Sequence, residues 1–391
     1  MESFNTIHDN YEHNFVKSDP HMLRSMFGDV DAIPFWIADM DFKVAEPITE
    51  ELRRLVNRGI YAYEFNTGTI FKSIVDWNLK RHQLKLNGKA FIQVTGVLTG
   101  IALLIRELSN EGDGVLIQTP VYHQFYKVIK TANRKAVGNP LKVVDGSYEM
   151  DFEDMERKLQ TENVKIILLC NPHNPIGRVW KKWELEKLIG LANTYEATIV
   201  SDEIHSDIIY SGAKFNSIAA FSPKQHIAVL GAPAKTFGMQ SISNGCLYVP
   251  NRAVHKQIKN AVGSMYLDHG NAFSTFATIA AYTKGEDWVN GLIAHLEKNV
   301  DWIQNFLQKD IPKVKMSVPE GTYQVWLDFS ALALPQEVLD DLVFTKAKLA
   351  LTPGRWFCND HAQFMRMNIA SPLPKLQKAF QQLKNAIDTL K

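Results

Sequence analysis

The chain has 391 residues, more than one hydrophobic core usually serves, so a large and a smaller domain are expected. Lysine and arginine number 43 against 42 acidic residues, and the net charge of +1 excludes the basic footprint of a nucleic-acid binder or a membrane-surface protein. Three scattered cysteines, Cys170, Cys246 and Cys358, exclude a disulfide framework or zinc knuckle; with no long apolar run and no leader-like opening, a cytoplasmic location is expected.

The polar residues 1–45 tighten into Ile33-Pro34-Phe35-Trp36-Ile37-Ala38-Asp39-Met40-Asp41-Phe42. Two aspartates in an apolar, aromatic stretch are costly unless hydrogen-bonded, so the segment lines a cleft or forms a solvent-facing turn. A helix follows, with Pro47 near its start and Leu52, Leu55 and Val56 on one face, ending near Gly59. The aromatic run Ile60-Tyr61-Ala62-Tyr63-Glu64-Phe65 reads, taken alone, as packing.

Strand and helix alternate from Phe91. Phe91-Ile92-Gln93-Val94 is a strand, and Thr95-Gly96-Val97-Leu98 opens a helix running to about Leu108. Such a turn presents free backbone N–H groups to an anion, although many strand–helix turns carry glycine and bind nothing. The next strand, 114–118, leads to Tyr122, at the end of a sheet where α/β proteins place ligands. Val164-Lys165-Ile166-Ile167-Leu168-Leu169-Cys170 has the apolar continuity of a buried parallel strand. It ends in Asn171-Pro172-His173-Asn174-Pro175-Ile176-Gly177-Arg178, a turn stiffened by two Asn-Pro pairs. A helix near 183–192 returns the chain to the strand 198–201, from which Asp202-Glu203-Ile204-His205 emerges.

Ile227-Ala228-Val229-Leu230 then delivers Lys235 on a Gly/Pro-containing loop. A lysine there either reaches solvent or is an amine that desolvation deprotonates for attack on an aldehyde, forming an imine. Asn174, Asp202 and Lys235 follow three successive strands at separations that suit one return and one strand each, so they converge on one site. Beyond about residue 285 helices alternate with shorter strands, at 319–328 and at 364–370, the latter holding Arg366 among apolar residues. Ser371 reads as the cap of a final helix with Leu376, Phe380, Leu383, Ile387 and Leu390 at helical spacing. The expected division is a large domain, 46–284, and a small one made of 1–45 and 285–391.

The constellation resembles the pyridoxal-phosphate site of fold-type I enzymes, over nearly the whole chain. Residues 35–42, 171–180 and 202–205 closely resemble the MalY/PatB cystathionine β-lyase subgroup. The resemblance implies an α/β fold, a large domain with a mostly parallel central sheet plus a smaller α+β domain, and pyridoxal 5'-phosphate as cofactor. It implies that Lys235 binds the cofactor's aldehyde and carries the substrate Cα proton. Asp202 would pair with the pyridine nitrogen, Asn174 with the phenolic oxygen, Tyr122 would stack on the ring, and His205 would complete its surroundings. Backbone N–H groups of Val97 and Leu98 would hold the phosphate. Arg366 would clamp the substrate α-carboxylate, with Ala38 also touching substrate. Tyr63 would reach the phosphate of the neighbouring subunit, which implies a homodimer with shared active sites.

Three positions depart from aminotransferases of this class. His205 replaces a tyrosine, Ala234 a serine, and Ser243 an arginine that would countercharge the phosphate; the segments 236–241 and 357–360 depart from the aminotransferase and the lyase patterns alike. The reading that follows is a carbon–sulfur β-lyase acting on L-cystathionine or related S-substituted L-cysteines. An aminotransferase, or a PLP-fold binding protein without turnover, are the alternatives, and a Rossmann dinucleotide protein lacks its G-x-G-x-x-G.

Overall fold

The computed structural model describes residues 4–8, 15–64, 68–144, 146–221 and 226–390. The sheet is preceded by a short helix over Pro20–Phe27 and then by α1 (Glu46–Arg58) and α2 (Thr69–His82). Helix α1 has Pro47 in its first turn and stops at Gly59, whose φ of 67° favours glycine. Its inward stripe is Ile48, Leu52 and Leu55; Ile48 and Leu52 pack with Ala277 and Ala281, and Leu55 is fully buried. Val56, expected on that stripe, is instead 55% exposed. The face is decided by the neighbouring helix, which Val56 turns away from.

Seven strands form the central sheet: β1 (Phe91–Val94), β2 (Gly114–Thr119), β3 (Lys135–Pro140), β4 (Val164–Cys170), β5 (Thr198–Asp202), β6 (Ile227–Gly231) and β7 (Gly245–Tyr248). Their order is β1-β7-β6-β5-β4-β2-β3, and only β7 runs antiparallel to its neighbours. A parallel sheet is covered on both faces and needs near-continuous apolar strands. Accordingly β2 is buried throughout and β4 everywhere except Lys165. Helix α3 (Val97–Leu108) follows β1, α4 (Gln124–Thr131) follows β2, α5 (Lys182–Thr194) follows β4, and the single turn α6 (Ala234–Phe237) follows β6. Cys170, Asp202 and Leu230 lie in one row across β4, β5 and β6, so the C-terminal ends of these strands finish level.

Helix α7 (Ala272–Lys284) packs on α1 and α2, and α8 (Glu286–Asp310) leads to a second sheet. Its antiparallel strands are β8 (Lys315–Ser317), β9 (Gln324–Asp328), β10 (Thr352–Pro353) and β11 (Phe364–Asn368), in the order β8-β9-β11-β10. Arg366 sits mid-strand in β11, opposite Trp326 and Thr352. The core beside this sheet joins Leu296 and Ile303 to Val325, Met367 and Phe380, and takes in Leu23, Phe27 and Phe35 from the N-terminal segment.

The last helix, α9 (Leu373–Asp388), buries Leu376, Phe380 and Leu383. Leu390 lies past its end and is 37% exposed. Ser371, expected from sequence to cap this helix, does not: Pro372 holds that position, and the Ser371 hydroxyl donates to Asp41 Oδ2 at 2.5 Å. A buried carboxylate in need of donors outcompetes the helix end. Among the described residues no helix is long and apolar enough to cross a membrane.

Candidate active site

The level strand ends place three side chains along one edge. Asn174 lies on the turn after β4, closed by the His173 N–H to Arg178 O and the Gly177 N–H to His173 O, both 2.7 Å. Gly177 has φ of 73°, and a Cβ there would stand 2.5 Å from Pro319 Cβ, so the turn needs glycine. Asp202 is the last residue of β5 rather than just beyond it, and is buried. Lys235 rides on α6, a helical turn rather than an open loop.

Lys235 Nζ donates to Ala38 O at 2.5 Å. The same carbonyl accepts from the Tyr323 hydroxyl at 3.0 Å and Gln240 Nε2 at 3.3 Å. The solvent-reaching alternative for Lys235 therefore fails. Residues 36–41 lie across the site, held by their backbone: Asn368 Nδ2 donates to Ile37 O at 2.7 Å and Asp39 O at 2.6 Å, and Arg366 Nη2 donates to Trp36 O at 2.6 Å. Asp41 anchors the far end through Lys17 Nζ and Lys375 Nζ, each at 2.7 Å. Burial works against its charge, but the two lysines outweigh it and hold its carboxyl far below the ordinary range. The aspartate-bearing stretch is thus a wall of the cleft and not a solvent-facing turn.

Arg366 is buried, donating from Nη1 to Asn174 Oδ1 and from Nη2 to Thr352 Oγ1, both at 3.2 Å. Its guanidinium lies 5.1 Å from the Phe357 ring centre, and its Nε has no partner among the described residues. Burial pushes the Lys235 amine down to about 8, aided by Arg366 and opposed by Asp39 and Asp202. Burial likewise pushes Asp202 up to about 6, against the Ile204 N–H, which donates to Oδ1 at 3.1 Å, and against Lys235. His205 is buried edge-to-face with Tyr323 at 5.4 Å, and burial pushes it down to about 3, so it stays neutral. Its Nδ1 has no partner among the described residues. Tyr122, half-buried after β2, has its phenol pushed up by burial while feeling both Arg366 and Asp202.

Val97 and Leu98 open α3, where first-turn amides have no acceptor within the helix. Gly245 of β7 lies against that turn: a Cβ would stand 2.8 Å from Gly96 C and 3.0 Å from Val97 N. Tyr63, expected at the neighbouring subunit's phosphate, lies outside this chain's own cleft. Tyr63 is 98% exposed, its ring stacked on His269 at 6.0 Å. The aromatic run is therefore outside this chain's core: Tyr61 is 61% exposed, its ring 5.8 Å from that of Phe273, and Phe65 falls outside the described residues. Gln240, Tyr323 and Thr352 were not legible beforehand, since each acts through a backbone carbonyl or an arginine far away in sequence.

These residues fit pyridoxal 5'-phosphate (PLP). A desolvated amine suits its aldehyde and a buried carboxylate its pyridinium nitrogen. A glycine-backed helix start suits its phosphate, and the unpartnered Arg366 Nε and His205 Nδ1 leave donors or acceptors free beside it. Fold and site together define a fold-type I PLP-dependent enzyme, an α/β protein with a mostly parallel sheet.

The chain belongs to the aminotransferase class I and II family, whose model matches residues 65–383. It is 37% identical to cystathionine β-lyase PatB of Bacillus subtilis (strain 168), over 93% of this chain and 94% of that protein. Cystalysin of Treponema denticola, whose crystal structure contains PLP, superposes with a TM-score of 0.95 at 28% identity, covering both chains completely (100% and 100%). The PLP-bound C–S lyase of Staphylococcus hominis gives a TM-score of 0.92 at 28% identity, over 99% of this chain and 98% of that one.

Proposed function

We propose that this protein is a PLP-dependent carbon–sulfur β-lyase that converts L-cystathionine or related S-substituted L-cysteines to pyruvate, ammonia and a thiol. The observation that carries the reading is the Lys235 amine, poised at about 8 in one cleft with Asp202, Asn174 and Arg366. The likeness to cystathionine β-lyase PatB and to the C–S lyase of Staphylococcus hominis favours elimination over amino transfer.

When bound, the cofactor supplies an electron sink for the pair left at the substrate Cα. Arg366 holds the substrate carboxylate, using the Nε that has no partner among the described residues. Lys235 takes the Cα proton; an amine near 8 is in part unprotonated at neutral pH and is an effective base there. Asp202 stays ionised beside a cationic ring nitrogen and keeps that nitrogen's proton in place. Asn174 donates from its amide to the ring oxygen while its Oδ1 accepts from Arg366. Val97 and Leu98 hold the phosphate, Tyr122 covers the ring, neutral His205 fills its surroundings, and Ala38 O sets the resting position of Lys235.

The same reading includes a homodimer with shared sites, a cytoplasmic location and the domain division 46–284 against 1–45 with 285–391. A ladder of exposed rings, Tyr63 on His269 and His269 on Tyr266, supports the dimer, since Ile60 and Met265, near it in sequence, are also exposed apolar side chains. Three free cysteines fit a reducing compartment. The deciding experiment supplies L-cystathionine and follows pyruvate, against an amino acid with 2-oxoglutarate followed for amino transfer. Pyruvate release is expected to dominate. Efficient amino transfer with no pyruvate would replace this reading by the aminotransferase.

A further inference from the structure

Helix α6 is one turn of four residues. So short a helix has no stability of its own, because nucleation is unfavourable and little propagation follows. The orientation of Lys235 must therefore come from what α6 is tied to. Ala234 and Phe237 have apolar side chains, so Thr236 is the residue of α6, besides Lys235, whose side chain can hydrogen-bond outward. Thr236 Oγ1 donates to Asp207 Oδ2 at 2.8 Å.

Asp207 is buried at 4% exposure and forms a hub. Its Oδ1 accepts from Trp77 Nε1 at 2.9 Å and lies 2.8 Å from His82 Nε2, with Arg81 Nε 3.5 Å away. Burial opposes the charge, yet His82, Arg81 and Thr236 outweigh it, so the carboxyl stays below its ordinary range. Asp207 lies within the turns that follow Asp202, where the Ser206 N–H donates to Glu203 O and the Ile208 N–H to His205 O, both 3.0 Å. These turns thus have Asp202 at their start and, five residues on, the carboxylate that grips the neighbour of Lys235. The indole and imidazole of α2 brace it from behind.

We propose that Asp207, acting through Thr236, is the positioning residue that holds Lys235 in register with Asp202. This rests on Lys235 being the cofactor lysine, and it goes beyond that reading by naming what aims the amine. Asp207 touches neither substrate nor cofactor. It fixes the helical turn from which Lys235 extends, so that the amine meets the Cα proton without a search through rotamers.

The test uses cofactor-loaded protein bearing Thr236→Val, which keeps the side-chain shape and removes the donor. Three quantities are read: melting temperature, the midpoint of the cofactor absorbance change with pH without substrate, and kcat and KM for pyruvate release. Expected for Thr236→Val is a kcat about ten- to hundredfold lower with KM within about twofold, and a midpoint moved by about half a pH unit or more. Thr236→Ser restores both. Asp207→Asn, read by the same measurements, moves them in the same direction and decides independently where the valine variant loads poorly. A lower melting temperature with kcat per bound cofactor and midpoint unchanged would overturn the proposal and leave Asp207 a purely structural residue. Borohydride fixation followed by peptide mapping separates the two levels. Label on a lysine other than Lys235 refutes the site reading and this inference together, whereas label on Lys235 with an unmoved midpoint refutes the inference alone.

Discussion

Replacing Lys235 by methionine should stabilise the cofactor-free protein at neutral pH and cease to do so in base. The amine titrates at about 8 in the folded chain against 10.5 ordinarily. At about 1.36 kcal/mol per pH unit, that difference sets a ceiling of roughly 3 kcal/mol for the cost of burying the charge. Lys235 is only partly buried by surface area, so about 2 kcal/mol is a fairer figure. Below pH 8 folded and unfolded chains both carry the charge, and the folded one bears the full cost. Between 8 and 10.5 the unfolded chain binds a proton that the folded one does not, so wild-type stability climbs with pH. Methionine has no such dependence, but it forfeits the hydrogen bond to Ala38 O, about 1 kcal/mol, at every pH. The variant is therefore expected to be more stable by about 1 kcal/mol at pH 7 and less stable by a similar amount near pH 10.5. Denaturant melts of both cofactor-free proteins at equal concentration would show the crossing. A variant no more stable at pH 7, or a gap that keeps its sign and size across the range, would show that the amine is not desolvated.

The other predictions concern turnover and assembly. Asp202→Asn should retain cofactor, seen by absorbance, while kcat falls on the order of a hundredfold or more, since a neutral amide no longer holds the ring proton. Near-normal turnover would remove Asp202 from the site. For Arg366→Lys, loss of the planar fork should lower kcat/KM roughly ten- to hundredfold, mostly through KM, with melting temperature recorded because Trp36 O and Asn174 also lose their donor. Mixing Tyr63→Ala with Lys235→Ala under subunit exchange should restore part of the activity, because a shared-site heterodimer has one site free of both lesions. Exchange without recovery would mean that each chain's site is self-contained.

What was legible in the sequence was local. Val164–Cys170 reads as a buried parallel strand because burial on both faces demands apolar residues in succession, and it is that strand, residue for residue. The helix from Val97 to Leu108 likewise announces both its ends. Asn174, Asp202 and Lys235 could be inferred to converge because each follows such a strand, and level strand ends require no information beyond spacing. Tertiary structure decided the rest. Val56 turned outward because a distant helix chose the face of α1, and Ser371 left the cap role for a buried carboxylate that the sequence places 330 residues away. The backbone carbonyl of Ala38 gathers Lys235, Gln240 and Tyr323 from 197 to 285 residues away, and Asp207 grips Thr236 from 29. A carbonyl carries no signature in the residue that bears it, and a lone threonine or aspartate has many possible partners. Periodicity is a property of neighbours along the chain and survives in one dimension; the pairing of polar groups is set by which surfaces exclude water together, and that exists only once the chain has closed on itself.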